Sequence, residues 1–317
     1  MLSMLFKHIN TFIFFISCLQ NLPILVGAGV VVASAIIVAL WSVSKKKKLV
    51  ALVDPTQKIS LPLVEREEIS HDTRRFRFGL PSSKHCLGLP VGQHINISAS
   101  INGQPCIRSY TPVSSDEDLG YMDLVVKVYF KNVHPKFPEG GKMSQHLNDL
   151  KIGDKIDIRG PTGRLQYLGR GQFSIKALRN APPTIVKVKK VAMIAGGTGI
   201  TPMLQLVRSV MRDSSDTTEL ALLFANQTEK DILLRDELEQ AAADSNGRFK
   251  LWYTVDSPSE GWNYSKGFVN AEMISTHLFP PSADTLVLMC GPPPMINFAC
   301  VPNLDKLGYD AKLRFAY

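Results

Sequence analysis

From Ile9 to Ser44 the sequence carries no charged residue, and no acidic residue precedes Asp54. Cysteine is scarce: Cys18, Cys86, Cys106, Cys290 and Cys300 are five, an odd number, with no C-x-x-C pair. That excludes a disulfide framework or a thiolate zinc cluster and fits reduced thiols in a cytosol-like compartment. The seven histidines form no H-E-x-x-H and no other metal spacing, and no Ser–His–Asp order can be defended. A large basic excess is also missing. The formal charge is +8, but Lys7 and Lys45 to Lys48 all lie before Leu49; without them 31 basic residues face 28 acidic ones. That balance is no nucleic-acid footprint.

The uncharged N-terminal run is itself informative. Pro23 divides it, and Leu22 to Val43 is long enough for a bilayer-crossing helix of about 20 residues. Trp41 sits at its end, where an interfacial aromatic belongs, and the lysine run follows at once. A cleaved signal peptide would be shorter, with its charges on the other flank. The run has no polar face, which argues against a buried core helix. Residues 1–50 are therefore expected to be an uncleaved transmembrane anchor with its lysine flank, leaving the rest of the chain in the cytosol. The endoplasmic reticulum and the mitochondrial outer membrane both accept such a helix.

The remaining length suits about two domains. Up to about Arg159 the signals are β. Arg74 to Phe78 and His94 to Ile97 alternate, Leu124 to Phe130 is apolar with Lys127 as one inserted charge, and Lys155 to Ile158 alternates again. Gly and Pro punctuate at short intervals, as in a small antiparallel β-barrel; this domain is assigned to residues 56–162. Residues 163–187 read as an irregular interdomain linker. From 188 to 317 strands alternate with helices, the pattern of an α/β domain with a covered parallel sheet. Expected strands are Val191–Ala195, Leu220–Ala225, Phe249–Val255 and Thr285–Met289; expected helices are Met203–Met211, Ile232–Ala243, Val269–Leu278 and Met295–Leu307. Ligands of such sheets bind at the carboxyl ends of the strands. Three loops fall there: Gly196 to Thr201, Asp256 to Pro258, and Cys290 to Pro294.

Two loops in the β region read as halves of one flavin-nucleotide socket. In Cys106–Pro112, Arg108 is a permanent planar cation able to grip a diphosphate with paired hydrogen bonds. Tyr110 offers an apolar ring with a polar tip for stacking on an isoalloxazine or ribose, and Thr111 places a hydroxyl beside it. In Gly140–Ser144, the glycines let backbone amides approach an anion, and Ser144 stands where a helix N-terminus is expected to open. Taken singly, Arg108 would be a surface charge, Tyr110 core, and the glycines a plain turn.

The order of four motifs makes the pattern specific: Arg108-x-Tyr110-Thr111, Gly141–Ser144, Gly196–Gly197–Thr198–Gly199–Ile200–Thr201–Pro202, and Cys290–Gly291–Pro292–Pro293. It resembles the signature of the ferredoxin-NADP reductase superfamily. The runs Asp123–Lys131, His134–Pro138, Leu223–Gln227 and Lys250–Asp256 resemble the NADH–cytochrome b5 reductase family within it, over about Ser60 to the end. The resemblance implies an FAD-binding β-barrel followed by an NADH-binding α/β domain. It implies flavin contacts at Arg108, Ser109, Tyr110, Thr111, Val125, Lys127, Phe130, Gly141, Lys142, Met143, Ser144 and Thr201. Thr111 would lie near flavin N5 with His94 behind it as a proton relay, and Lys127 would bring positive charge to the cofactors. Ser109 and Asn96 stand where many members carry proline and tyrosine, which leaves the surroundings of His94 less defined.

The nicotinamide side is expected at Gly196, Gly197, Thr198, Gly199, Asp256, Cys290, Gly291 and Pro292. Backbone amides of the glycine turn would meet the diphosphate. Cys290 would orient the nicotinamide rather than act as a nucleophile, since no partnered base is visible and hydride transfer needs none. Asp256 ends a strand where it would accept from a ribose 2′-hydroxyl and repel a 2′-phosphate; no Lys or Arg follows before Gly261, which favours NADH over NADPH. The implied acceptor is cytochrome b5, an acidic haem protein that Lys131 and Lys142 would meet, so that added salt slows the encounter. A small iron carrier of diphthamide synthesis is a second acceptor that the resemblance admits. The competing expectations are a reductase of the same superfamily with another acceptor, and an inactive membrane-tethered scaffold.

Overall fold

A computed structural model describes residues 48–317 apart from His134 and Lys136. The expected anchor, Leu22 to Val43, lies outside the described residues, among which no helix is long and apolar enough to cross a membrane. Leu49–Tyr317 is one unit.

Its first half is a six-stranded antiparallel sheet in the order Gln104–Tyr110, His94–Ile101, Lys155–Thr162, Ile59–Glu68, Thr73–Gly79, Tyr121–Lys127. Alternation builds its core: Phe76, Phe78, Ile95, Ile97, Ile156 and Ile158 point inward with Leu61, Leu63, Met122 and Leu124. The expected barrel is only partly closed, because Gln104–Tyr110 and Tyr121–Lys127 remain its two edges. The Lys142–Asp149 helix packs on Gln104–Tyr110 and His94–Ile101, burying Met143 and Leu147 in the same core. That packing brings the two halves of the expected flavin socket onto one side of the sheet, the first of them, Cys106–Tyr110, being edge strand rather than loop.

The second half is a six-stranded parallel sheet in the order Ser265–Lys266, Phe249–Val255, Glu219–Asn226, Lys190–Gly196, Thr285–Cys290, Arg314–Ala316. Lys190–Gly196 comes first in the chain and is paired on both sides, so the strand order reverses between it and Thr285–Cys290. Such a switch point opens a crevice at the carboxyl ends of the strands. Gly196 and Cys290 stand at that end.

Residues 163–187 are not irregular. They hold three short antiparallel strands, Leu165–Gly169, Gln172–Lys176 and Pro183–Lys187. Leu165, Tyr167 and Phe173 from this sheet, with Val113 and Val125 from the half-barrel, share one buried core with the parallel sheet and its Ile200–Arg212 helix. The two halves are thus joined by apolar packing as well as by polar ties such as Gly92 N–H to Gln205 Oε1 at 2.7 Å.

Other boundaries also move. Ile200–Arg212 begins inside the expected glycine turn, so Thr201 is helical. The third helix is Ala271–His277, with Asn270 Oδ1 accepting from Met273 N–H as its cap. The last expected helix divides into a π-helical turn, Met295–Cys300, and Val301–Lys306.

Candidate active site

A cleft of about 620 Å³ opens at the switch point. Gly196, Gly197, Pro292 and Met295 line one part, Asn226, Asp256 and Phe268 another, and Lys127 and Tyr129 reach in from the half-barrel. Three glycines press its loops together. A Cβ on Gly199 would lie 2.1 Å from the Cys290 carbonyl oxygen, one on Gly291 would lie 2.5 Å from Met295 Cε, and one on Gly196 would lie 2.6 Å from Met295 Sδ. Gly197, by contrast, sits at φ +52° with nothing within 4 Å of where its Cβ would be, so its backbone faces open space. This is the arrangement a diphosphate needs: bare amides and no side chain in the way.

Cys290 ends its strand beside these loops, half-buried, and burial pushes its thiol up to about 12. At pH 8 a thiol of that pKa is thiolate in roughly one molecule in ten thousand. Iodoacetamide at pH 8 is therefore expected to leave Cys290 unlabelled in the native protein; stoichiometric labelling of that cysteine, read by peptide mass spectrometry, would contradict it. The C-terminal Tyr317 donates its N–H to Met289 O at 3.0 Å, so the chain end lies at the same mouth. Asp256 follows the Phe249–Val255 strand, exposed at the opposite end of the cleft, with its carboxyl pKa raised by burial.

Lys127 is the residue whose setting differs most from expectation. Its ammonium does not stand open to steer a ligand. It bonds Asp72 Oδ2 at 2.8 Å and Asp231 Oδ1 at 2.7 Å. Both acceptors are fixed from behind. Asp231 Oδ2 accepts from Thr228 N–H and Oγ1 in a capping box, and Asp72 Oδ1 accepts from Thr73 Oγ1. Burial alone would lower the Lys127 pKa; the hydrogen bonds to Asp231 and Asp72 outweigh it and raise the net value. Lys127 thus ties the half-barrel to the parallel-sheet domain while lining the cleft. Its neighbour two positions back, Val125, shares its strand face and is buried in the joint core. The strand stops at Lys127, so Phe130 lies in the following loop, half-buried.

On the half-barrel, Arg108 and Ser109 are exposed and Tyr110 is half-buried against the barrel core, its hydroxyl pKa raised by burial. Ile95 pairs with Tyr110, so His94 and Thr111 stand opposite one another just past the last pair. Burial and then the charge of Arg179 lower the His94 pKa, which keeps its imidazole neutral at pH 7. Asn96 is not idle: its Oδ1 accepts from Ser109 Oγ at 2.9 Å.

Ser144 does not open a helix. The helix begins at Lys142, and Ser144 in its first turn donates to Gly141 O at 3.1 Å and accepts from Tyr129 N–H. The first helical bond is Gln145 N–H to Gly141 O, so the amides of Lys142, Met143 and Ser144 are the ones left at the helix start. Gly140, at φ +64°, could bear no side chain, since a Cβ would lie 2.3 Å from Tyr129 O. Arg108 and Lys142 have no carboxylate partner among the described residues. Two cations without a carboxylate partner among the described residues, Arg108 donating only to Ile107 O at 2.7 Å, with a helix start and a half-buried aromatic on one side of the sheet, fit FAD, whose diphosphate and ring need those groups.

Sequence reading missed Asp72, Asp231, Asn226, Met295 and Phe268 as parts of this cleft. Asn226 and Met295 had a usable signal, since both flank carboxyl ends of parallel strands. Asp72 and Asp231 had none, lying 55 and 104 positions from Lys127.

Comparison with known proteins gives the same two-domain organisation. Residues 60–167 match the oxidoreductase FAD-binding domain and residues 193–301 the oxidoreductase NAD-binding domain. The chain is 61% identical over 293 residues to NADH-cytochrome b5 reductase 2 of Xenopus laevis, covering 92% of this chain and 99% of that one. It is 54% identical over 303 residues to NADH-cytochrome b5 reductase 1 of Homo sapiens, covering 94% and 99%. Among solved structures, the cytochrome b5 reductase domain of Ulva prolifera nitrate reductase superposes with TM-score 0.79 at 44% identity, over 84% of this chain and 99% of that chain. With an FAD-binding domain, an NAD-binding domain and these relatives over nine-tenths of its length, the chain belongs to the NADH–cytochrome b5 reductase family.

Proposed function

We propose that this protein takes reducing equivalents from NADH onto FAD and hands electrons singly to cytochrome b5. The observation that carries the reading is the placement of two complementary sites on one unit: a cation-flanked helix start on the half-barrel and a glycine-walled cleft at the sheet's switch point, with Lys127 belonging to both domains. FAD, when bound, supplies the conversion from two-electron to one-electron transfer.

The chain's own residues bind and orient the two nucleotides. In this proposal residues 56–162 hold FAD through Arg108, Tyr110, Lys142, Met143 and Ser144. Ser109, Thr111, Val125, Phe130, Gly141 and Thr201 complete that socket. Residues 188–317 hold NADH through Gly196, Gly197, Thr198, Gly199, Asp256, Gly291 and Pro292. Thr111, with the neutral His94 opposite, holds a hydroxyl at the flavin edge. The protonated Cys290 orients the nicotinamide by packing, because its raised pKa removes it from nucleophilic chemistry. The N-terminal run anchors the protein in the endoplasmic reticulum or the mitochondrial outer membrane, and a diphthamide-synthesis iron carrier is a further acceptor.

Asp256 is the specificity element. An acceptor-only carboxylate rewards a ribose 2′-hydroxyl and repels a 2′-phosphate. Asp256→Arg is expected to lower the ratio of kcat/KM for NADH over NADPH by about tenfold to hundredfold, the size of one or two charge-assisted contacts. An unchanged ratio in steady-state assays with both nucleotides would contradict the role.

A further inference from the structure

Asn226 is the last residue of the Glu219–Asn226 strand. The strand before it is core: Leu220 to Phe224 are fully buried. Asn226 is only 8% exposed, yet its side-chain Nδ2 and Oδ1 both lack a hydrogen-bond partner. Buried carboxamides are nearly always satisfied on at least one end. Its main chain is already used, since Asn226 O accepts from Asp256 N–H at 3.1 Å. The nearby Thr228–Asp231 capping box is complete without it.

The position supplies what the side chain lacks. Asn226 lines the cleft between Gly197 and Asp256. By register, Ala225 pairs with Gly196 on one side and Asn226 pairs with Val255 on the other. Asn226 therefore stands, by backbone register, between the glycine turn that suits a diphosphate and the strand end that carries the carboxylate suited to a ribose. A carboxamide offers two donor hydrogens and one acceptor oxygen. The adenosine 5′-phosphate half of a dinucleotide offers the complement: phosphate and ribose oxygens to accept, ribose hydroxyls to donate.

We infer that Asn226 is a positioning residue for NADH, its carboxamide seating the adenosine ribose–phosphate between Gly197 and Asp256. This rests on the dinucleotide reading of the cleft. It follows that Asn226 acts on binding far from the reacting ring, so its loss raises KM more than it lowers kcat.

The test uses the full-length, FAD-loaded protein and the nearly isosteric variants Asn226→Leu and Asn226→Asp. Expected is an increase of about tenfold to hundredfold in the KM for NADH and in the inhibition constant of 5′-AMP, larger for Asn226→Asp, whose charge meets the phosphate. Reduced nicotinamide mononucleotide, which lacks the adenosine half, should show no comparable loss. Two results would overturn the inference. One is a KM and an AMP inhibition constant within about twofold of the parent protein, which would leave water as the carboxamide's partner. The other is an equal loss with the mononucleotide, which would make Asn226 a structural residue. Failure of the dinucleotide reading itself would show separately, as a parent protein that NADH does not reduce and AMP does not inhibit.

Discussion

Gly199→Val is expected to raise the KM for NADH by about tenfold or more and to lower stability by about 1–3 kcal/mol, the cost of overpacking a tight contact. Backbone conformation is not the reason, because Gly199 has φ −63° and ψ −5°, which any residue adopts. Space is the reason. The nearest atoms to a Cβ there are Cys290 O at 2.1 Å, Cys290 C at 2.5 Å and Gly291 N at 3.0 Å. All three are main chain and held at the end of a paired strand, so they cannot rotate aside as a side chain would. The glycine turn and the Cys290 loop must separate, and those two loops form one wall of the cleft proposed for the nucleotide. NADH kinetics together with thermal unfolding check this. A variant with native KM and native melting temperature would show that the two loops are not in contact.

Lys127→Met is expected to cost about 3–5 kcal/mol, the range for removing one partner from a buried ionic group. The side chains of Lys127, Asp72 and Asp231 are 19%, 14% and 11% exposed, so solvent screens them little. Methionine keeps the length and apolar stem of lysine but leaves two carboxylates facing each other. In the native protein the sign of the pH dependence is set by both shifts. The Asp231 pKa is lowered: burial opposes this, and the hydrogen bonds from Lys127 and Thr228 outweigh it. Its contribution is present above its unfolded value near 3.8 and is lost as pH falls through the folded value. The Lys127 pKa is raised, so its contribution is present below 10.5 and is lost as pH rises through the folded value. Between those limits the tie is flat with pH. In Lys127→Met, the loss of the ammonium and the facing carboxylate raise the Asp231 pKa instead. The variant should then gain stability as pH falls from 7.5 to about 5, where the parent tie does not change. Denaturant unfolding at the two pH values distinguishes these, and a variant equally stable at both would contradict the pairing.

Strands with clear alternation were legible in the sequence, as were the glycine turns at the carboxyl ends. Phe76 and Phe78, or Ile156 and Ile158, declare their inward face by spacing alone. The small sheet at 165–187 escaped because its strands are five residues each and Gly169, Arg170 and Gly171 interrupt them; Arg170, Gly169 and Gly171 all take positive φ. The π-helical turn Met295–Cys300 escaped because a shift from i+4 to i+5 bonding leaves no mark on composition. The site divides in the same way. Lys127 stood out as the lone charge in an apolar strand, but its partners come from a turn 55 residues earlier and a cap 104 residues later, and only the fold brings them together. Ser144 shows the reverse case: the helix was visible, while its start at Lys142 depended on Gly140 and Gly141 packing against Tyr129.

Anaerobic mixing of the FAD-loaded protein with NADH, followed through the visible flavin absorbance and then by addition of oxidised cytochrome b5, reaches both clefts and the acceptor at once. The expected result is saturable bleaching by NADH, much slower bleaching by NADPH, and recovery of the flavin colour as the cytochrome is reduced. A protein that holds FAD but stays yellow with NADH, or that bleaches and passes nothing to the cytochrome, would contradict the pairing of the two sites.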